Sequence, residues 1–233
     1  MQLIKENINQ EINEDYLVET LNLDDKTILE LGCGNATKTI SMASRGSNRK
    51  IIACEVDEIQ HKKNLTLEYK NINFKFCGAQ DIDLEDNSVD IVFMFKSFHH
   101  IPINLMPKAL KEIKRVLKNN GLVYISEPLF MGEQNRLISM FHNEERVRIE
   151  AFNAIKESVE KEEFKLFKEI FFYTPVTYKD FNEFKEKLMD VTFNDNQISK
   201  ELEEKVKEEF NKISNNKEIT FKKPFRVDIL QKI

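Results

Sequence analysis

The sequence predicts an α/β fold: a mostly parallel, doubly wound sheet of seven strands, with a helical elaboration after the fifth. Three observations carry that expectation. Short apolar runs alternate with amphipathic segments from Thr27 to Ser126, the rhythm of successive strand–helix–strand units. The runs are nearly continuous in apolar residues, as in Lys50–Glu55 (KIIACE) and Val89–Phe95 (VDIVFMF), which suits strands covered on both faces. The first run, TILEL (Thr27–Leu31), ends in Gly32-Cys33-Gly34, a turn where backbone approaches a ligand because no Cβ restricts φ or fills the space.

In chain order, Leu3, Ile4, Ile8, Ile12, Leu17 and Leu21 recur at helical intervals and predict an N-terminal helix within 1–24. A ligand-binding core is expected over 25–130. After the first strand, a helix from about Ala36 to Arg45 points its N-terminal N–H groups at the glycine turn. Lys50–Glu55 is the second strand, followed by a helix over roughly Glu58–Lys70; Ile72–Cys77 is the third strand and Val89–Phe95 the fourth. Pro102 and Pro107 mark the entry to a helix ending near Lys118, stopped by Asn119-Asn120-Gly121, before the fifth strand Leu122–Ser126. Residues 131–233 form the elaboration: helical from Gly132 to Phe167, a strand at Ile170–Val176, and a helix capped within Thr177–Asp180. A helix over Ser199–Ile213 and a closing strand at Phe225–Leu230 follow; no linker divides 1–233 into separate domains.

Composition narrows the function. With 41% hydrophobic residues the 233-residue chain can build a proper core, and a net charge of −5 argues against a broad nucleic-acid footprint. The first twenty residues contain no apolar signal-peptide region, and no apolar run is long enough to span a bilayer, so a cytoplasmic protein is expected. Cys33, Cys54 and Cys77 show no zinc-type spacing; their odd count predicts free thiols and no metal site.

Four stations lie at the carboxyl ends of the expected strands. They are Glu30-Leu31-Gly32-Cys33-Gly34; Glu55, 21 residues after Gly34; Gly78-Ala79-Gln80; and Ser97-Phe98-His99-His100. An acid such as Glu55 at the end of the second strand can accept hydrogen bonds from both hydroxyls of a ribose. With AQDIDLEDNSVDIV (Ala79–Val92) and RVLKNNGLVYISEP (Arg115–Pro128), these stations resemble the class I S-adenosylmethionine-dependent methyltransferases, which have a Rossmann-like sheet. The resemblance covers about Lys26–Pro128. Thr37, where dinucleotide-binding dehydrogenases carry a third glycine or alanine, separates the chain from them.

The resemblance implies S-adenosylmethionine as cofactor, S-adenosylhomocysteine as product, and a role for each matching residue. Gly32, Cys33 and Gly34 would hold the methionine portion, with Glu30 beneath the turn facing the ammonium group. Glu55, with Val56 beside it, would take the ribose, and Ala79 and Gln80 the adenine edge; Lys96, after the fourth strand, is a further cofactor-binding candidate. Two positions depart from the family pattern: Ala36, commonly a third glycine, and Gly78, commonly an acid or amide.

Methyl transfer needs the acceptor positioned in line with an already activated methyl group, and a base only where the acceptor must lose a proton. His99 and His100 are the base candidates, against the alternative that the pair merely shapes the turn. Glu127 either contacts substrate or caps a neighbouring helix. Arg136, Arg146 and Arg148 either meet a carboxylate or phosphate on the acceptor or are solvated surface residues. Thirteen of the 18 phenylalanines follow Leu129, for core or for an apolar acceptor pocket. The expected activity is methyl transfer to a small-molecule acceptor, without nucleic acid or membrane. A modified cofactor or a non-catalytic regulatory binding protein on the same fold is the alternative, and the oligomeric state is open, a homodimer included.

Overall fold

A computed structural model describes residues 1–190, 198–215 and 217–233. The apolar runs become β1 (Thr27–Leu31), β2 (Lys50–Glu55), β3 (Ile72–Phe76), β4 (Val89–Phe95) and β5 (Leu117–Pro128), and the later half adds β6 (Phe164–Tyr178) and β7 (Ile219–Lys232). They form one seven-stranded sheet in the order β3-β2-β1-β4-β5-β7-β6. The first five strands pair parallel, while β7 inserts antiparallel between β5 and β6. Strand order reverses between β1 and β4, and the carboxyl ends on either side of such a reversal are where α/β sheets bind ligands.

Helices α1 (Glu14–Glu19), α2 (Thr37–Ala43), α3 (Glu58–Asn64), α4 (Met106–Val116), α5 (Glu133–Ile138), α6 (Glu145–Glu160), α7 (Phe181–Leu188) and α8 (Lys200–Ser214) flank the strands. Alternation along each strand splits the core into two layers. Ile28, Phe93 and Tyr124 turn toward Val18 of α1 and Met42 of α2. Leu29, Val92, Met94 and Ile125 turn toward Leu110 and Ile113 of α4 and Ile155 of α6. Each fully buried aliphatic side chain contributes about 1.5–3 kcal/mol. A third cluster, with Phe181, Phe184, Phe210 and Phe221, joins α7 and α8 to the outer halves of β6 and β7.

Several sequence expectations need correction. The N-terminal helix spans only Glu14–Glu19, capped by the Asn13 side chain, which accepts the Asp15 N–H. Upstream residues are drawn to the sheet edge instead: Tyr173 N–H donates to Gln10 O (2.9 Å) and Ile12 N–H to Tyr173 O (3.2 Å). Asn119-Asn120-Gly121 does not stop a helix. The helix ends at Val116, and the tripeptide carries β5 through an irregularity in its register with β4, with Asn120 at φ 60°. Strands β6 and β7 are far longer than the expected Ile170–Val176 and Phe225–Leu230, because charged residues on their exposed faces interrupt the apolar pattern.

Cys54 and Cys77 are not free thiols. The β2–β3 register, Glu55 opposite Phe76, brings them to a Cα–Cα distance of 5.3 Å, where they form a disulfide; the free-thiol expectation holds for the buried Cys33. Among the described residues no helix is long and apolar enough to cross a membrane.

Candidate active site

The strand β1 delivers the chain to Gly32 at φ +73°, and the N–H groups of Gly32 and Cys33 both donate to Cys54 O at 2.9 Å. A Cβ on Gly32 would lie 2.6 Å from the Cβ of Ser97, so the end of β4 packs directly against the turn. Gly34 (φ +52°) has no protein atom within 4 Å of where its Cβ would stand, leaving room beside the backbone. Ala36, at the position of the third family glycine, adopts the left-handed conformation (φ 61°) and is completely buried at the N-terminus of α2.

Two acids hold this turn from beneath. Glu55 accepts the Gly34 N–H through Oε2 (2.7 Å) and the N–H groups of Val56 (2.8 Å) and Asp57 (2.9 Å) through Oε1. Glu30 is buried and accepts the Thr39 hydroxyl of α2 at 2.6 Å. Burial pushes its carboxyl up to about 8, against the opposing pull of Thr39 and Lys38. Asn64, at the end of α3, donates to Gly34 O at 2.7 Å and touches the Cys33 sulfur. Burial, with Glu30 and Glu55 nearby, pushes the Cys33 thiol far up, so it is inert.

After β3, the Gln80 amide folds back over Gly78: a Cβ there would lie 2.7 Å from Gln80 Oε1 and 2.8 Å from Nε2. The Gln80 amide therefore occupies the space beside Gly78. A cavity of about 770 Å³ runs across the carboxyl ends of β1 to β4, in the size range of small-ligand sites. Gly32, Gly34, Glu55, Val56, Ala79, Gln80, Lys96 and His100 line it, along with Ser97. Glu30, Cys33 and His99 do not; they lie behind its wall.

The paired histidines are thereby separated in environment. His99 is buried between two carboxylates: Nδ1 pairs with Glu127 Oε2, and Nε2 lies 3.6 Å from Glu144 Oε1. Burial alone would hold its imidazole down; Glu127 and Glu144 override that and push it up to about 9. Glu127 Oε1 also accepts the N–H groups of Phe98 (3.0 Å) and His99 (3.4 Å), so this acid caps the turn Phe98–His100. His100 opens to the cavity and its pKa is lowered, by burial first and then by the charge of His99.

Glu144 links this turn to the elaboration. Burial opposes its ionisation, but His99 and Arg148 hold it well below the usual carboxylate range. It receives Arg148 Nη2 at 2.6 Å and His142 Nε2 at 3.0 Å. The ligating atoms of His99, His100 and Glu144 lie within 4.8 Å of one another, a spacing a metal could use. In this arrangement both His99 nitrogens face carboxylates, and Glu144 is shared with Arg148 and His142. Of the three arginines, Arg148 pairs with Glu144 at 2.6 Å, Arg136 pairs with Glu209 at 2.9 Å, and Arg146 is exposed.

Sequence reasoning missed Asn64, Glu144 and Lys223. Asn64 reads as one polar residue in a helix, and Glu144 lies in a charged run. Lys223 precedes the expected closing strand; its side chain is half-buried beside Phe225, with Nζ 5.6 Å from the ring centroid. Lys96 Nζ lies 5.2 Å from the same centroid.

The sheet order, the glycine turn sealed by Glu55 and the cavity across the strand ends define a Rossmann-like α/β domain. Residues 28–121 match the family described as Methyltransferase domain. It is 32% identical over 127 residues to phosphoethanolamine N-methyltransferase 1 of Triticum aestivum, covering 52% of this chain and 25% of that protein. It is 33% identical over 114 residues to an uncharacterised methyltransferase of Schizosaccharomyces pombe, covering 49% and 42%. The chain thus spans between a quarter and about half of the length of the curated relatives it matches. The fold matches a solved Bacillus halodurans C-125 structure described as a methyltransferase, with TM-score 0.64, 15% identity, and coverage of 94% and 96%.

Proposed function

We propose that the protein catalyses S-adenosylmethionine-dependent methyl transfer to a small-molecule acceptor. The observation that carries this reading is the cavity itself, which joins the glycine turn and Glu55 at one end to His100 and Lys96 at the other. The residues fit the cofactor: Gly34 leaves backbone room beside the cavity, Glu55 stands at the end of β2 for a ribose, and Ala79 and Gln80 offer amide groups to a base edge. Glu30, buried beneath the turn with its carboxyl pushed up, would be favoured as an anion by an ammonium group bound over the turn.

S-adenosylmethionine supplies a methyl group already activated on a sulfonium centre. The protein's own work is to hold the acceptor in line and, where the acceptor has a proton to lose, to take it. His100 is the base in this reading, because its lowered pKa keeps the imidazole neutral near pH 7 and it borders the cavity. His99, an imidazolium between Glu127 and Glu144, positions the turn that carries His100.

Calorimetry with S-adenosylmethionine and S-adenosylhomocysteine tests the cofactor assignment; saturable heat is expected with both, and none with either at millimolar ligand overturns it. Mass spectrometry of the ligand retained on purification separates S-adenosylmethionine from a modified relative. Homocysteine release during an acceptor screen separates an enzyme from a regulatory binding protein.

A further inference from the structure

Two lysines share one phenylalanine ring where the cofactor cavity meets the elaboration. Lys96, at the tip of β4, lines the cavity with His100 and places its ammonium 5.2 Å from the Phe225 centroid. Lys223 reaches the same ring from β7, two residues beyond the point where β7 leaves β5, at 5.6 Å. Neither ammonium has a carboxylate or hydrogen-bond acceptor among the described residues, whereas most of the arginines and many lysines elsewhere in the chain are paired. Arg148 adds a third positive charge nearby; its guanidinium is held by Glu144 and Asn135, and its buried Nε has no acceptor.

A phenylalanine face attracts one cation, but it does not offset the mutual repulsion of two. Burial, then Lys96 and Arg148, push Lys223 down to about 8, with Glu144 the opposing charge. An anion that reached both ammoniums would offset that repulsion.

We propose that Lys96 and Lys223 form a subsite for an oxyanion, a phosphate ester or carboxylate, on the methyl acceptor, with Arg148 reinforcing its field. The subsite holds the charged end of the acceptor while the cavity border at His100 receives the end to be methylated. This assignment rests on the reading of the 770 Å³ cavity as the cofactor site.

The test is a calorimetric titration of the protein, with and without saturating S-adenosylhomocysteine, at low ionic strength, using inorganic phosphate and acetate as probes. Saturable phosphate binding is expected, weakened at least about tenfold in Lys223→Met and in Lys96→Met, as the loss of a charge-assisted hydrogen bond implies, and retained in Lys223→Arg. S-adenosylhomocysteine affinity in Lys223→Met is expected within about twofold of the parent, which shows that the variant is folded. Phosphate without acetate binding assigns the subsite to phosphate esters, and binding of both extends it to carboxylates. Absence of binding by either probe, or equal phosphate affinity in Lys223→Met, overturns the subsite while leaving the cofactor reading intact. Failure of S-adenosylhomocysteine to bind the parent overturns the cofactor reading, and the titration without it still decides the anion subsite.

Discussion

Glu127 grips His99 twice, accepting its backbone N–H through Oε1 and pairing with its ring Nδ1 through Oε2. A carboxylate so used ties the end of β5 to the turn after β4. In the folded chain His99 is raised to about 9 from 6.5, so its contribution to stability is complete below pH 6.5 and is lost as pH rises through 9. Lys223, lowered to about 8, titrates in the opposite sense, so the difference between parent and variant is the informative quantity. Denaturant unfolding at pH 6 and pH 9.5 is expected to show His99→Gln less stable by about 1–3 kcal/mol at the lower pH and nearly equal to the parent at the higher.

His100 is expected to behave differently from its neighbour. His100→Gln should keep the parent's melting temperature and bind S-adenosylhomocysteine within a few fold. For an acceptor that must lose a proton, kcat should fall by about 10²–10⁴, the usual worth of a general base. A single-turnover assay on such an acceptor measures it; an unchanged rate removes His100 from the chemistry.

Gly32 and Ser97 form a coupled pair. Gly32→Ala should abolish cofactor binding, because its Cβ would stand 2.6 Å from the Ser97 Cβ and φ is +73°. Adding Ser97→Gly clears the collision but not the left-handed conformation, which costs a Cβ-bearing residue about 1–2 kcal/mol. Calorimetry of the double variant is therefore expected to recover part of the affinity, and no recovery would show that backbone conformation dominates.

Asn64 should matter beyond its own helix. Asn64→Ala leaves Gly34 O without its 2.7 Å donor, a loss of about 1 kcal/mol at a part-buried carbonyl, and loosens the turn. Lower unfolding stability together with weaker S-adenosylhomocysteine binding is the expected pair of changes.

The disulfide is open to direct counting. Unfolded without reductant, the chain should present the Cys33 thiol alone, and Cys54 and Cys77 should join it after reduction. Closing a loop of this sequence separation, 23 residues, is worth about 3 kcal/mol, so Cys77→Ser should lower the unfolding free energy of the oxidised protein by that order. Thiol titration and denaturant unfolding check the two statements.

Much of the cofactor half is legible in the sequence because its signals are local. The apolar runs of β1, β2 and β4 coincide with the observed strands, and the glycine turn announces its own backbone geometry. The acceptor side is less legible, because its groups meet only through long-range pairing. Lys223 acquires a neighbour in Lys96 when β7 lies beside β5, and Glu144 meets His99 when α6 packs on the turn after β4. Nor does residue type separate His99 from His100; the difference is which imidazole faces two carboxylates and which faces open space. The lengths of β6 and β7 were hidden for a related reason, since alternation with lysine and glutamate on a solvated face resembles a charged helix.

Before Phe225, β7 pairs with β6 alone, and this projecting ribbon is anchored by Phe181, Phe184, Phe210 and Phe221, none of which borders the cavity. Lys223 rides on the base of that ribbon. Its foundations can therefore be rebuilt residue by residue without touching the glycine turn or Glu55. If the two proposed subsites are right, selectivity toward the acceptor and grip on the cofactor rest on separate supports, which makes the ribbon the natural place to redirect one while conserving the other.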